Sequence, residues 1–134
     1  MQQNLLSDEW QVLQKQSDQF ETWSLILKLV AIVLLFSSLL IKVSLLSGLV
    51  FLLLWLQDAI WKTFQARTEI RLIEIERAIA EEQPLAPFQF NYPFSQQSRS
   101  PALLIREYMR QALRPTTALL HVSMIGIFLC GQFI

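Results

Sequence analysis

The chain has 134 residues, 53% of them hydrophobic and 16% charged, with a formal net charge of zero. Neutrality gives no electrostatic footprint for nucleic acid, and the apolar residues gather in blocks instead of recurring at the period of a soluble domain. The single cysteine, Cys130, excludes an internal disulfide and any multi-cysteine metal or iron–sulfur site within one protomer.

Residues 1–23 read as an amphipathic helix, because Leu6, Trp10, Leu13 and Phe20 recur at helical spacing among polar residues. Such a helix either lies in a membrane interface, with Trp10 and Trp23 at headgroup depth, or packs on other cytoplasmic helices. A cleaved signal peptide is not expected, since Asp8, Glu9, Asp18 and Glu21 precede the first apolar run and no small-x-small site follows it.

Ser24 to Ile41 and Val43 to Trp61 are each about the length a helix needs to cross ~30 Å of hydrocarbon. Only a turn near Lys42 and Val43 separates them, so they should return as a tight antiparallel hairpin in which facing residues have numbers of constant sum. The second helix meets no Gly or Pro before Pro84 and is expected to continue to about Glu82. Ile60 and, over 62–83, Phe64, Ile70, Ile73 and Ile79 approximate one apolar stripe. Arg71 with Glu74 and Arg77 with Glu81 suggest surface ion pairs worth roughly 0.2–0.5 kcal/mol each. A charged helix with such a stripe needs a partner, within the chain or in a second protomer.

Residues 84–101 carry four prolines and the alternating aromatics Phe88, Phe90, Tyr92 and Phe94. They predict an extended loop with all four rings on one side, either anchoring at the interface or gripping a ligand. Ser100 and Pro101 then signal the start of a helix over 102–115. Its Leu104, Ile105, Tyr108 and Ala112 oppose Arg106, Arg110 and Arg114. That pattern fits an in-plane helix burying its apolar face in lipid and offering arginines to phosphates, or a docking helix for a cytoplasmic protein. Residues 116–134 form a third apolar span.

The expected class is therefore all-α and integral to a membrane, with three transmembrane helices, a cytoplasmic helical extension and an amphipathic in-plane helix. Residues 62–115 hold eight Lys and Arg residues; by the positive-inside rule this loop and the amino terminus face the cytoplasm of a bacterial inner membrane, and the carboxyl terminus lies outside. Trp23 and Trp61 would mark the cytoplasmic boundary.

Three polar side chains interrupt the spans at similar depth: Lys28, Asp58 and His121. Lys28 and Asp58 have numbers that sum to 86, which suits a turn near residue 43, so an ion pair is expected with Gln57 and His121 as hydrogen-bond partners. A charge at membrane depth costs roughly 2.5–3.5 kcal/mol, so such groups are paired, snorkelling or functional. The layer reads as a structural register device; a proton relay between Asp58 and His121 is the sharper alternative. Ser37, Ser38, Ser47 and Gly48 form a small-residue zone in the hairpin. Ser123, Gly126 and Cys130 repeat on the third span as a packing face for the hairpin or another subunit. Leu49, Leu52, Leu53 and Leu56 look like lipid contact.

No phosphate-binding glycine loop, zinc spacing or nucleophile triad occurs, and no metal or cofactor is implied. The run Trp55-Leu56-Gln57-Asp58-Ala59-Ile60-Trp61, followed by a charged helix and a late third span, resembles small bacterial three-helix membrane proteins that mostly lack an assigned activity, some of them associated with phage-defence loci. In that pattern a second aromatic often stands where Ile60 does, and no catalytic residue transfers. The expected function is non-enzymatic: helix-mediated assembly in lipid, as a homo-oligomer or an accessory subunit. Two alternatives stay open, an oligomeric pore-forming effector gated by a cytoplasmic signal and a small proton- or ion-coupled transporter.

Overall fold

The computed structural model describes residues 1–41, 43–96 and 100–133. Five α-helices follow one another among them: α1 (Gln2–Leu40), α2 (Gly48–Ala80), α3 (Asn91–Gln96), α4 (Pro101–Ala112) and α5 (Pro115–Gln132). Those containing the three apolar blocks, α1, α2 and α5, are long and apolar enough to cross a membrane.

α1 joins what the sequence pattern divides at Ser24. No Gly or Pro stands between Gln2 and Leu40, so the amphipathic segment and the first apolar span form one rod of about 58 Å at 1.5 Å per residue. The return is also longer than expected. Lys42 lies outside the described residues; beyond it the Ser44 hydroxyl accepts from the Leu46 N–H and opens a 3₁₀ turn, Leu45–Ser47. α2 therefore begins at Gly48, five residues after the expected start. It runs unbroken through Trp61 to Ala80, as the absence of breakers implies. There Glu82 takes a left-handed φ of 50° and the Gln83 N–H bonds the Ala78 carbonyl, a Schellman-type stop with Pro84 just beyond.

α1 and α2 lie antiparallel and share the largest interface. Trp10 Nε1–H donates to Glu76 (2.9 Å), a pair whose numbers again sum to 86. α5 packs beside α2 and, less extensively, α1. Two apolar clusters result. One, at the apolar end, joins Ala31, Leu35, Phe51, Met124 and Phe128. The other, at the far end of α1 and α2, joins Leu6, Leu13, Leu72 and Ile75, with Trp10, Leu85 and Phe90 against them. Between them the seam is polar and aromatic: Ser24, Asp58, Thr63 and Thr68 are buried, and Phe20 packs on Trp61 and Phe64.

The segment after Pro84 is not simply extended. Residues Asn91–Gln96 turn into α3, which breaks the expected alternation of rings. Phe90 goes inward and stacks edgewise on Phe94, whereas Phe88 and Tyr92 stand outward, each 61% exposed. α4 starts as predicted: the Ser100 hydroxyl accepts from the Leu103 N–H and Pro101 occupies the first turn. Its inward face, however, differs from expectation. Gln111 and Ala112 are buried and Leu104 and Tyr108 half-buried beside α2, so these apolar residues meet protein, and Ile105 alone of the expected set turns out. Ile105, Met109 and Leu113 form an exposed apolar sector, with exposed Arg106, Arg110 and Arg114 next to it.

Candidate functional site

The polar layer assembles around Asp58. Its side chain is fully buried in α2, facing α1 on one side and α5 on the other. The Ser24 hydroxyl donates to Oδ1. On Oδ2, the Lys28 Nζ lies at 3.6 Å and the His121 Nε2 at 3.0 Å. Ser24 and Lys28 are one turn apart and so present both groups to the same carboxylate. The expected Lys28–Asp58–His121 layer is thus present as one cluster joining three helices. Gln57, one residue and about 100° round the helix, is not among the partners of the carboxylate; Ser24 takes that part.

An ionised carboxylate only accepts, so a neutral His121 must carry its proton on Nε2, which leaves Nδ1 as an acceptor. That Nδ1 is buried without a partner among the described residues, as are Thr117 Oγ and Gln111 Oε1 at the nearby α4–α5 corner. Trp55 fixes the imidazole plane: its ring stacks on His121 with centroids 6.1 Å apart and planes 10° apart. Its Nε1–H in turn donates to the Ala112 carbonyl at the end of α4 (3.1 Å). The cluster therefore also sets where α4 ends and α5 begins.

A second buried ion pair lies outside the apolar spans, and the sequence pattern did not announce it. Glu9 of α1 and Arg71 of α2 are 3% and 5% exposed, with Arg71 Nε at 2.9 Å from Glu9 Oε1. The expected Arg71–Glu74 pair is present at 3.3 Å, but the Arg71 guanidinium is buried, not solvated, and also donates to the Ala86 carbonyl at 2.9 Å. Burial opposes the Arg71 charge, yet the hydrogen bonds and charge of Glu9 outweigh it and move the guanidinium above its ordinary value. Glu9 Oε2 accepts the Phe88 N–H at 2.6 Å, holding Phe88 at a φ of 57°, rare for an aromatic residue. The pair thus clamps the aromatic segment onto both long helices. A groove of about 550 Å³ opens beside it between Val12, Leu13, Phe88, Phe90 and Tyr92.

Glu9 precedes Ser24 by 15 residues, or about 22 Å of helix. Phe88, bonded to Glu9, therefore stands far from the ends of the apolar spans, too far for the expected interfacial anchor if the boundary is at Ser24. Phe94 is drawn instead to Arg67, whose guanidinium lies 5.6 Å from its ring and 5.8 Å from that of Phe64. Arg67 also binds Glu107 through Nε at 3.1 Å, tying α4 to α2. Trp23 is 45% exposed, whereas Trp61 is half-buried against Phe20 and Phe64.

The small residues divide. Gly48 packs: a Cβ there would meet the Phe128 ring at 2.9 Å. Ser38 and Ser47 are half-buried and Ser37 is exposed, its hydroxyl bonded to the Val33 carbonyl. On α5 the expected packing of Ser123, Gly126 and Cys130 on the hairpin does not occur; all three are exposed, and a Cβ at Gly126 would meet nothing within 4 Å. The inward face of α5 is Thr117, His121, Met124 and Phe128. Gly131, not singled out by the pattern, is the glycine that approaches α1, at Leu39. Leu49, Leu52, Leu53 and Leu56 are exposed, as expected of a lipid-facing surface.

Among the described residues no group of three His, Cys, Asp or Glu side chains could hold a metal ion. No protein-family model matches the chain, and no curated protein or solved structure matches it either.

Proposed function

We propose that this chain is a non-enzymatic protein of a bacterial inner membrane that works by association, with its amino terminus and residues 62–115 in the cytoplasm. One observation carries the reading. Ile70 and Ile73 are 55% and 56% exposed on α2, about two to three turns beyond the last residue of its apolar span, Trp61. Their helix already has its inner face covered by α1 through Arg71, Leu72, Ile75 and Ala78. Exposed isoleucines on the water side of a helix whose other face is satisfied call for a second surface.

The polar layer supports a structural part in this reading. Asp58 and His121 are turned into the bundle at 0% and 1% exposure, away from the outer faces that a pore between copies would line. The outward face of α5, with Ser123, Gly126 and Cys130, offers close approach to another helix within the bilayer. The apolar sector of α4, Ile105, Met109 and Leu113, suits the lipid boundary beside it.

The test is the mass of the gently solubilised particle, by native mass spectrometry, for the natural sequence and for Ile70→Glu with Ile73→Glu. A complex that falls to the monomer in the double variant supports association through this face. A monomer in both, with nothing co-purifying, removes the reading, and ion leakage from sealed vesicles holding that monomer would replace it with the pore.

A further inference from the structure

The charges beside the exposed stripe of α2 determine what can cover it. Ala66, Ile70, Ile73, Arg77 and Ala80 are spaced alternately by four and three residues, a heptad seam on the outward side. At about 100° per residue, Glu69 and Glu76 flank the seam on one side and Glu74 and Glu81 on the other. Copies inserted in one membrane share an orientation, so a symmetric pairing of two such seams is parallel and in register. It would set Glu69 against Glu74 of the second copy, Glu76 against Glu81, and Arg77 against Arg77. Every flanking contact then joins like charges, which opposes this pairing.

The seam needs a partner with basic flanks, and the chain carries one at the right height. On α4, Leu103 is 55% exposed and shares its face with the exposed Arg106 and Arg110. The Arg67–Glu107 bond sets Glu107 level with Arg67. From there α4 runs toward the apolar end, where Trp55 holds its last turn. Leu103, four residues before Glu107, then stands about 6 Å further out from the apolar end, beyond the level of Trp61 and toward the Ile70–Ile73 seam. Surfaces of equally oriented copies can meet only at similar heights, and both of these lie on the same side of the apolar spans.

Resting on the association reading, we propose that Leu103, Arg106 and Arg110 on α4 of one copy dock on the Ile70–Ile73 seam of the next, with the arginines facing Glu69 and Glu74. The contact joins two different surfaces, so it is head-to-tail and repeats around an axis normal to the membrane until a ring closes. Ile105, Met109 and Leu113 occupy the neighbouring sector of α4 and stay free for lipid.

Disulfide trapping in membranes tests the proposal with the full chain, in a Cys130→Ser background. Two differently tagged populations are made together, one with Ile73→Cys and one with Leu103→Cys; both positions are exposed, so neither change disturbs the fold. The expected result is a disulfide between the two tags and none within either population alone. Glu69→Arg and Arg106→Glu should each abolish most of that bond, and the two changes together should restore it. Self-linking of Ile73→Cys alone would overturn the proposal in favour of seam-to-seam pairing. An oligomer by mass without the Ile73–Leu103 link overturns the proposal and leaves association standing. Loss of bound anionic lipid in Arg106→Glu with the link intact also overturns it, assigning the arginines to headgroups. A monomer under all conditions removes association itself.

Discussion

The molecule holds two buried carboxylates that cross the same helix pair in opposite senses. Asp58 reaches from α2 to Lys28 and Ser24 on α1; Glu9 reaches from α1 to Arg71 on α2. What each holds in addition differs. Asp58 engages a third helix through His121, whereas Arg71 and Glu9 hold the backbone of the aromatic segment at Ala86 and Phe88. Lysine suffices at Asp58, where one charge at 3.6 Å is needed; the fork of arginine is needed where a single side chain must serve Glu9, Glu74 and a carbonyl at once. Buried ions here set geometry: one sets where helices stand, the other where a loop stands.

The largest break in that comparison is Asp58→Ala. It leaves the Lys28 charge with no counter-ion between the apolar spans and His121 with neither nitrogen satisfied, so a loss of about 3–5 kcal/mol is expected in thermal or denaturant unfolding of the detergent-solubilised protein. Lys28→Ala combined with Asp58→Ala removes the stranded charge and should recover part of the loss. Equal losses in the single and double variants would refute the pairing.

Arg71→Ala comes next. It strands the Glu9 carboxylate, but Glu9 lies outside the apolar spans, where water reaches the bundle more easily, so a smaller loss of about 2–3 kcal/mol is expected. The distinctive consequence is local: Phe88 loses the acceptor that fixes it, and limited proteolysis should cut between Pro84 and Tyr92 well before the long helices open. Arg71→Lys should show nearly the same cutting, because an ammonium cannot replace the fork. Protection of that segment in Arg71→Ala would show that Phe90 packing alone holds it.

The apolar half of this architecture is plain in the sequence, and the polar half only partly so. Block length fixes three long helices, and the constant sum places Lys28 against Asp58. Ser24 and Glu9 escape because each looks like an ordinary polar residue at its own place in the chain. Both belong to one inward stripe of α1 that runs through Leu6, Glu9, Leu13, Ser17, Ser24, Ala31 and Leu35, visible only when the amphipathic segment and the span are treated as one helix. Arg71 has the same history: next to Glu74 it resembles a solvated pair, and its burial depends on Glu9, 62 residues away. The aromatic rings mislead because alternation assigns faces only to an extended chain, and α3 is helical. Small residues permit close approach without saying which helix approaches; Gly48 and Gly131 were used within the protomer and Gly126 was not.

That last division predicts the next effect in size. Gly48→Ala must displace the buried Phe128 ring and should cost about 1–2 kcal/mol, net of the helix propensity gained. Gly126→Ala meets open space and should leave protomer stability within about 0.5 kcal/mol. If α5 meets another helix through Ser123, Gly126 and Cys130, Gly126→Leu should lower the oligomeric fraction without lowering the protomer's unfolding temperature. A fall in both together would mean that Gly126 is packed within its own chain.

The last expected effect is a gain. Phe88 holds a left-handed backbone, for which a side chain costs roughly 1–2 kcal/mol relative to glycine, and its exposed ring contributes little packing in return. Phe88→Gly should therefore raise stability slightly, by up to about 1 kcal/mol once the extra freedom of glycine in the unfolded chain is counted. A loss instead would mean that the ring is held by contacts the isolated protomer lacks, and Phe88 would join the surfaces through which the protein meets its partner. The sign of this change separates a strained residue tolerated as a by-product of the Glu9–Arg71 clamp from one the clamp exists to present.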